Sequence, residues 1–115
     1  LSLSKEFELY HNLVLSYKFK TVKEYLNSEL KYKKPEIYFN GLWKNWFEFL
    51  GIDTSKWIDN KQSWIEYCKR KNIKNAEDYY LKLDSNIPPE PEYFYSNFKG
   101  IVNELLTKKY RYIKN

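Results

Sequence analysis

The chain has 115 residues, 43% hydrophobic and 20% aromatic, with 20 basic residues against 15 acidic ones and a net charge of +5. A chain of this length can bury roughly two-thirds of its unfolded surface, which suits one domain or two small units that share a core. No stretch approaches the roughly 18 apolar residues of a membrane span, and the N-terminus lacks a signal-peptide layout. We therefore expect an intracellular protein that is neither secreted nor held in a membrane.

The chemically reactive residues are too few and too scattered for a catalytic or metal site. Cys68 and His11 are the only cysteine and histidine, which excludes an internal disulfide and a Cys/His zinc site within one chain. The two lie in separate predicted helices, so no nucleophile is paired with a base. The three glycines are isolated, so no glycine-rich phosphate loop is present. We expect no enzymatic activity and no cofactor or metal.

The first two predicted helices lie at the start of the chain. Residues Ser4 to Tyr17 have apolar side chains at helical spacing, with Ser4 as a candidate N-cap. The stripe consists of Phe7, Tyr10, Val14 and Tyr17. Thr21 and Glu24 then form a capping box, in which each side chain satisfies a free backbone N–H. This box predicts a second helix from Val22 to about Leu30.

The central stretch, residues 35–51, combines a proline turn with a short aromatic helix. Pro35 blocks further helix, so the residues before it form a connection. Asn40 is a candidate N-cap and Gly51 a C-terminal stop. Between them an apolar stripe at helical spacing contains Trp43, Trp46, Phe47 and Leu50. The two tryptophans place this helix at the predicted centre of a core.

Three similar elements follow in the second half. Asp59 and Gln62 resemble a capping box and predict a helix from Asn60 to about Lys71. Asn75, with Asp78 three residues on, predicts the start of the next helix. The prolines of residues 87–91 indicate an extended connection, and a last helix is expected from about Asn97 through Leu106 and on toward Tyr112.

The two halves repeat one pattern, at an offset of 54 residues in the first two helices and 55 afterwards. One inserted residue between Tyr80 and Pro89 explains the change, and Tyr93 and Phe94 then repeat Tyr38 and Phe39. No amphipathic strand is present. We predict an all-α fold of about six helices, with two similar three-helix units, residues 4–52 and 57–112, packed into one compact domain.

The central stretch resembles the signature of integrase repeat units. Tyr38 followed by Gly41-Leu42-Trp43-Lys44-Asn45-Trp46-Phe47-Glu48-Phe49-Leu50-Gly51 is similar to their Tyr...Gly-Trp-x-x-Trp-x-(Asp/Glu)-(Phe/Trp)-Leu-Gly motif. In the second half Trp64-x-x-Tyr67-Cys68 and Ile87-Pro88-Pro89-x-Pro91 resemble other parts of the module, whereas Phe98 and Ile101 replace the tryptophans. These modules accompany tyrosine recombinases of mobile elements and occur in proteins of large DNA viruses. The resemblance implies an accessory nucleic-acid-binding element, found in the host cytoplasm, a viral factory or the nucleus.

Basic residues interleaved with aromatics are the remaining functional signal. Phosphate binding needs exposed cations, which these positions can supply without reading base sequence. Exposed tyrosines such as Tyr32, Tyr95 or Tyr110 are candidates for stacking on unpaired bases. The candidate nucleic-acid-binding residues are Lys20, Lys31, Lys33, Lys34, Lys44, Lys69, Arg70, Lys71, Lys74, Lys99, Lys108, Lys109 and Arg111. The abundance of lysine and asparagine is also typical of an AT-rich genome, which accounts for part of this charge.

Two functions fit these features. The first is a helical repeat module that binds duplex or single-stranded DNA non-specifically through its backbone, as an accessory to recombination, replication or genome packaging, alone or within a larger parent protein. The alternative is a protein-protein interaction or virion scaffold module that binds a partner or a second copy and no nucleic acid. Only the first predicts a strong dependence of binding on salt.

Overall fold

The computed structural model of the chain describes residues 2–106. The regular structure of this part is helical throughout, so the predicted all-α class is confirmed. The chain divides into two compact units, Leu1–Thr54 and Ser55–Asn115. Each unit has its own hydrophobic core.

The helices are short and follow each other closely in both units. Unit 1 contains α1 (Leu3–Tyr17), α2 (Val22–Leu26), α3 (Pro35–Tyr38) and α4 (Trp46–Leu50). Unit 2 contains α5 (Lys61–Arg70), α6 (Ala76–Leu81) and α7 (Pro91–Phe94), and residues 101–106 are helical up to the end of the described part. The prediction of about six helices was too low, because it treated the prolines as connections.

Both proline segments begin a short helix instead of forming an extended or blocking connection. Pro35 and Pro91 are fully buried and occupy the first turn of α3 and α7. Proline is well suited to this position, because its missing N–H has no intrahelical partner there and its φ is already helical. Both short helices therefore begin at a residue that is withdrawn from solvent.

The predicted caps of α2 and α6 are confirmed. Thr21 Oγ1 accepts a hydrogen bond from the Glu24 amide at 3.0 Å, and Asn75 Oδ1 accepts one from the Asp78 amide at 2.8 Å. The helix α2 nevertheless ends at Leu26, since Asn27 is already its C-cap. The predicted extension to Leu30 was wrong.

Two other helices begin one or two residues away from the predicted cap. Ser2, not Ser4, caps α1 by accepting a hydrogen bond from the Lys5 amide at 3.1 Å. Asn60, not Asp59, caps α5, and its Oδ1 accepts a hydrogen bond from the Ser63 amide at 2.9 Å. In each case a neighbouring polar side chain reaches the third residue of the helix, which is the geometry that capping requires.

The aromatic helix α4 starts later than expected. Asn45, not Asn40, is its N-cap and accepts a hydrogen bond from the Glu48 amide at 2.8 Å. The C-terminal stop at Gly51 is confirmed, with φ at +75°. The buried residues of α4 are Phe47, Phe49 and Leu50, and of these Phe49, which is 1% exposed, lay outside the predicted stripe. The tryptophans Trp43 and Trp46 are only half-buried and pack against the edge of the core.

The last helical segment also begins later than predicted, at residue 101. Asn97 and Gly100 have φ values of +56° and +105°, which an α-helix excludes. The predicted continuation toward Tyr112 lies outside the described residues. In α1 the predicted stripe is buried at Val14, whereas its last member, Tyr17, is 51% exposed.

The structural correspondence between the units differs from the predicted alignment in the proline segment. Tyr25 and Tyr79 are both fully buried and match at an offset of 54 residues. Their hydroxyls donate to the carbonyls of Tyr32 and Pro88, which are 56 residues apart. The second unit therefore has two extra residues before its proline helix. As a result, buried Phe39 corresponds to buried Tyr95 and not to Phe94.

Candidate nucleic-acid interface

The positive charge of the chain is concentrated at its C-terminal end. Residues 2–106 contain 16 lysines and arginines against 15 acidic residues, whereas residues 107–115 contain four basic residues and no acidic one. The predicted site residues Lys108, Lys109 and Arg111 belong to this end and lie outside the described residues. The described part of the chain is therefore nearly neutral, and any anion site in it depends on local clusters.

One local cluster is the connection between α2 and α3. It contains three exposed lysines, Lys31, Lys33 and Lys34, around the half-buried Tyr32. The ammonium of Lys31 lies 5.1 Å from the centroid of the Tyr32 ring, and that of Lys33 donates to the carbonyl of Ser28 at 2.5 Å. Among residues 2–106 neither Lys33 nor Lys34 forms an ion pair with a carboxylate. The connection thus presents cations that are not neutralised within the unit.

A stacked pair of tyrosines lies beside these lysines. The rings of Tyr32 and Tyr38 are 4.1 Å apart between centroids and 19° from parallel. Both hydroxyls donate to the Glu6 carboxylate of α1, from Tyr32 at 2.6 Å and from Tyr38 at 3.0 Å. The hydrogen bond from Tyr32 is the main reason that the pKa of Glu6 is lowered. The hydrogen bonds with Tyr32 and Glu6 raise the pKa of Tyr38 to about 12.

Two further tyrosines fix the backbone beneath this pair. The amide of Tyr32 donates to the Tyr10 hydroxyl at 3.2 Å, and the Tyr25 hydroxyl donates to the Tyr32 carbonyl. The hydroxyls of Tyr10 and Tyr25 are themselves 2.7 Å apart. Burial is the main cause of the raised pKa of Tyr25, whose hydroxyl therefore stays protonated. Tyr32 is held at its side chain and at both of its backbone polar groups.

The second basic cluster lies at the end of α5. Lys69 and Arg70 are exposed, and the Arg70 guanidinium lies 5.9 Å from the ring centroid of Tyr67. Lys71 differs, because its ammonium pairs with Asp84 at 3.0 Å, and the hydrogen bond with Asp84 raises the pKa of Lys71. The Tyr67 hydroxyl donates to the same carboxylate at 2.5 Å. Lys71 thus already has a carboxylate partner within its own unit.

The remaining predicted site residues are dispersed over separate elements. Lys20 and Lys74 immediately precede the caps of α2 and α6, and their amides donate to Glu24 and Asp78 at 2.7 Å and 3.1 Å. The two backbone amides are thus already hydrogen-bonded within the chain, whereas both lysine side chains are exposed.

Lys44 and Lys99 match each other at the offset of 55 residues between the two halves, but their surroundings differ. Lys44 pairs with Glu48 at 3.4 Å on an exposed surface. The amide of Lys99 donates to the buried carboxylate of Glu104 at 2.9 Å. Equivalent positions in the two units therefore do not make equivalent cation sites.

The structure changes the list of candidate stacking residues. Tyr95 is only 5% exposed, and its hydroxyl donates to the Ile58 carbonyl, so it is a core residue and cannot stack on a base. Tyr110 lies outside the described residues. Tyr38, which was not among the predicted stacking residues, is 44% exposed. The sequence offered one signal for this exposure, which is the position of Tyr38 next to Phe39. Adjacent residues of a helix face different directions, so burial of Phe39 leaves Tyr38 toward solvent.

Within the described residues, no group of three or more histidine, cysteine or acidic side chains is arranged to hold a metal ion. None of the helices described there has the length and apolar character needed to cross a membrane.

Comparison of the chain with known protein families, with curated proteins and with solved structures finds no match.

Proposed function

We propose that this chain is a small helical repeat module that binds DNA mainly through the phosphate backbone, as an accessory to recombination, replication or genome packaging. The observation that carries the proposal is the clustering of cations in two short stretches. Residues 31–34 present three exposed lysines, and residues 107–115 contain four basic residues without an acidic one. Lysine and arginine in such clusters bind phosphates independently of base sequence. The resemblance to integrase repeat units supports the same role.

The chemistry of the cations favours backbone binding over base readout. The chain has 18 lysines and only two arginines, and bidentate arginine is the commonest contact that specifies a base. Lysine acts as a mobile point charge and suits phosphate. The function proposed here needs no catalytic group, cofactor or metal.

The test is fluorescence anisotropy of labelled duplex and single-stranded oligonucleotides against the purified chain, with salt titrated. Each phosphate contact contributes about 0.9 to the log-log salt slope on duplex DNA. The triple variant Lys108→Gln, Lys109→Gln, Arg111→Gln should lower the slope by about 2 to 3, and the double variant Lys33→Gln, Lys34→Gln by about 2. Absence of binding at low salt with micromolar protein would refute the proposal.

The matched control is the double variant Lys5→Gln, Lys56→Gln. It removes two charges at exposed positions outside the predicted clusters. The proposal predicts an unchanged salt slope for this variant. If it lowers the slope as much as Lys33→Gln, Lys34→Gln, binding follows net charge and the clusters are not the site. Lys71 is kept intact in every variant, because its pairing with Asp84 belongs to the fold.

A protein-interaction or scaffold module is the second candidate, and an exposed apolar stripe on α1 favours it. Leu9, Leu13 and Tyr17 recur every four residues and are 54%, 46% and 51% exposed. Leu9 and Leu13 border a groove of about 300 Å³ whose rim includes Glu6 and Lys31. A helix from a partner or a second copy would bury this stripe.

Light scattering over a range of protein concentrations tests this candidate. It predicts a wild-type dimer that Leu13→Glu converts to a monomer. Leu81→Glu is the control, since Leu81 is 79% exposed on a different helix and should leave the dimer intact. A wild-type monomer at all concentrations would exclude self-association through this stripe.

A further inference from the structure

We infer that Tyr38 is a stacking platform for an unpaired base, so that the segment 31–38 binds single-stranded nucleic acid in preference to duplex. This inference rests on the proposed function and specifies its ligand. Tyr38 is 44% exposed while its ring stacks on Tyr32 at 4.1 Å. An exposed aromatic ring among lysines is the arrangement with which proteins bind single strands without sequence preference.

The platform is held in place before any ligand binds. The Tyr38 hydroxyl donates to both carboxylate oxygens of Glu6, at 3.2 Å and 3.0 Å. The stacked partner Tyr32 donates to the same carboxylate, and its backbone is bound by the Tyr10 and Tyr25 hydroxyls. A base that stacks on Tyr38 therefore meets a ring whose side-chain freedom has already been lost, which reduces the entropic cost of binding.

Three exposed lysines belong to the connection that precedes the platform. The Lys31 ammonium lies 5.1 Å from the centroid of the Tyr32 ring, so Tyr32 contacts Lys31 as well as Tyr38. Lys33 and Lys34 belong to the same exposed connection and are not paired with carboxylates among residues 2–106. They can bind the phosphates on either side of a stacked base. The bases of a duplex stack on each other and are not available to Tyr38. The segment should therefore bind a single strand in preference to a duplex.

The proline helix of unit 2 offers a matched contrast. Tyr93 of α7 is 40% exposed, close to the value for Tyr38. However, residues 83–98 contain no lysine or arginine, and they include Asp84, Glu90 and Glu92. This tyrosine has similar exposure in an acidic stretch of sequence, where phosphate is repelled. The structure thus provides a control residue for the aromatic contribution alone.

The test compares a fluorescein-labelled thymine-only strand, which forms no secondary structure, with a duplex of the same length by anisotropy at fixed salt. Tyr38→Leu should weaken binding of the strand by at least about fivefold and leave duplex binding unchanged. Tyr38→Phe keeps the ring and its stacking on Tyr32 but loses the hydrogen bonds to Glu6, so its affinity for the strand should lie between those of wild type and Tyr38→Leu. Tyr93→Leu should change neither affinity. Circular dichroism of each variant verifies that the helices are retained.

The outcomes separate this inference from the proposed function. If the wild type binds duplex with the expected salt slope but shows no preference for the strand, or if Tyr38→Leu weakens both ligands equally, the stacking platform is wrong and backbone binding stands. If Tyr93→Leu weakens strand binding as much as Tyr38→Leu, the effect is not specific to this platform. If neither nucleic acid binds, the proposed function fails together with the inference.

Discussion

Lys61 and Glu104 form an ion pair in unit 2 at the two positions where unit 1 has stacked aromatic rings. The Lys61 ammonium lies 3.1 Å from Glu104 Oε2, and the Glu104 side chain is only 8% exposed. The corresponding residues of unit 1, at offsets of 54 and 55, are Phe7 and Phe49, whose ring centroids are 6.3 Å apart. The two repeats thus fill these two equivalent positions with different chemistry.

The first prediction concerns this ion pair. Glu104→Gln removes the charge that Lys61 faces and should lower the free energy of unfolding by about 2 kcal/mol, because a half-buried ammonium loses its partner. The double variant Lys61→Met, Glu104→Leu replaces both charges with apolar groups and should be within about 1 kcal/mol of wild type. Urea denaturation followed by tryptophan fluorescence measures both values.

A double-mutant cycle completes this test. It uses the single variants Glu104→Leu and Lys61→Met, the second of which leaves the Glu104 carboxylate buried with its hydrogen bond from the Lys99 amide. If the changes in the free energy of unfolding of the two single variants sum to the change in the double variant, the two residues are not coupled. The ion pair then does not contribute to stability.

The second prediction compares two glycines that both have positive φ. Gly41 and Gly51 have φ values of +93° and +75°, which strain any other residue. A Cβ at Gly51 would lie 2.8 Å from Leu15 Cδ2, whereas a Cβ at Gly41 would meet nothing within 4 Å. Gly41→Ala should therefore cost about 1 kcal/mol of stability from backbone strain, and Gly51→Ala somewhat more, because the end of the flexible Leu15 side chain must also move aside.

Thermal denaturation of the two variants under identical conditions checks this prediction. Equal shifts of Tm would mean that the contact between residue 51 and Leu15 relaxes without cost. The double variant Gly51→Ala, Leu15→Ala removes the obstructing side chain and should not show the sum of the two single losses.

The third prediction concerns the thiol of Cys68, which is fully buried in the core of unit 2. Burial raises the pKa of this thiol to about 12. The thiolate is the reactive form, so the folded chain should not react with a thiol-specific reagent at pH 8. Addition of urea should restore the rate of an ordinary cysteine. Rapid labelling without urea would show that unit 2 opens readily.

The same burial predicts a loss of stability at alkaline pH. The folded-state pKa of Cys68 is raised above its unfolded value of about 8.5, and burial likewise raises the pKa of Tyr25, Tyr79 and Tyr95 above about 10. Above these unfolded values the unfolded state binds fewer protons than the folded state, so stability falls as pH rises. The expected loss begins near pH 8 to 9 and steepens above about pH 10.

Urea midpoints measured between neutral pH and pH 11 check this dependence. Cys68→Val, which places the corresponding residue of unit 1 at this position, should remove the part of the loss that begins near pH 8 to 9 and keep the tyrosine part. A midpoint independent of pH up to 11 would contradict the burial of all four groups.

Prediction from the sequence succeeded where the signal is local. The caps at Thr21 and Asn75 were correct because the cap and its partner amide are three residues apart in the chain. The cap of α4 was wrong because Asn40 and Asn45 both lie shortly before a tryptophan of the stripe. Only the φ of +93° at Gly41 shows that the helix cannot begin after Asn40. A positive φ at glycine is not visible in a single sequence.

The candidate site was predicted in part. The cluster Lys31, Lys33 and Lys34 is contiguous in sequence and is exposed as expected. Lys71 could not be recognised as a residue with a carboxylate partner, since Asp84 is 13 residues away and is brought to it by the fold. The contact of Tyr38 with Glu6 was missed for a similar reason. Its partner Glu6 is 32 residues away.

The sequence by itself determined the all-α class, most helix positions and the internal repeat, because helical periodicity, capping and proline effects act between residues a few positions apart. Only the tertiary structure decided which aromatic side chains are buried, placing Phe49 in the core of unit 1 and Trp43 and Trp46 at its edge. The tertiary structure also brings Tyr32 to Glu6, 26 positions away in the chain, and Lys61 to Glu104, 43 positions away. Such contacts depend on how helices pack, and a pattern within one helix does not encode that packing.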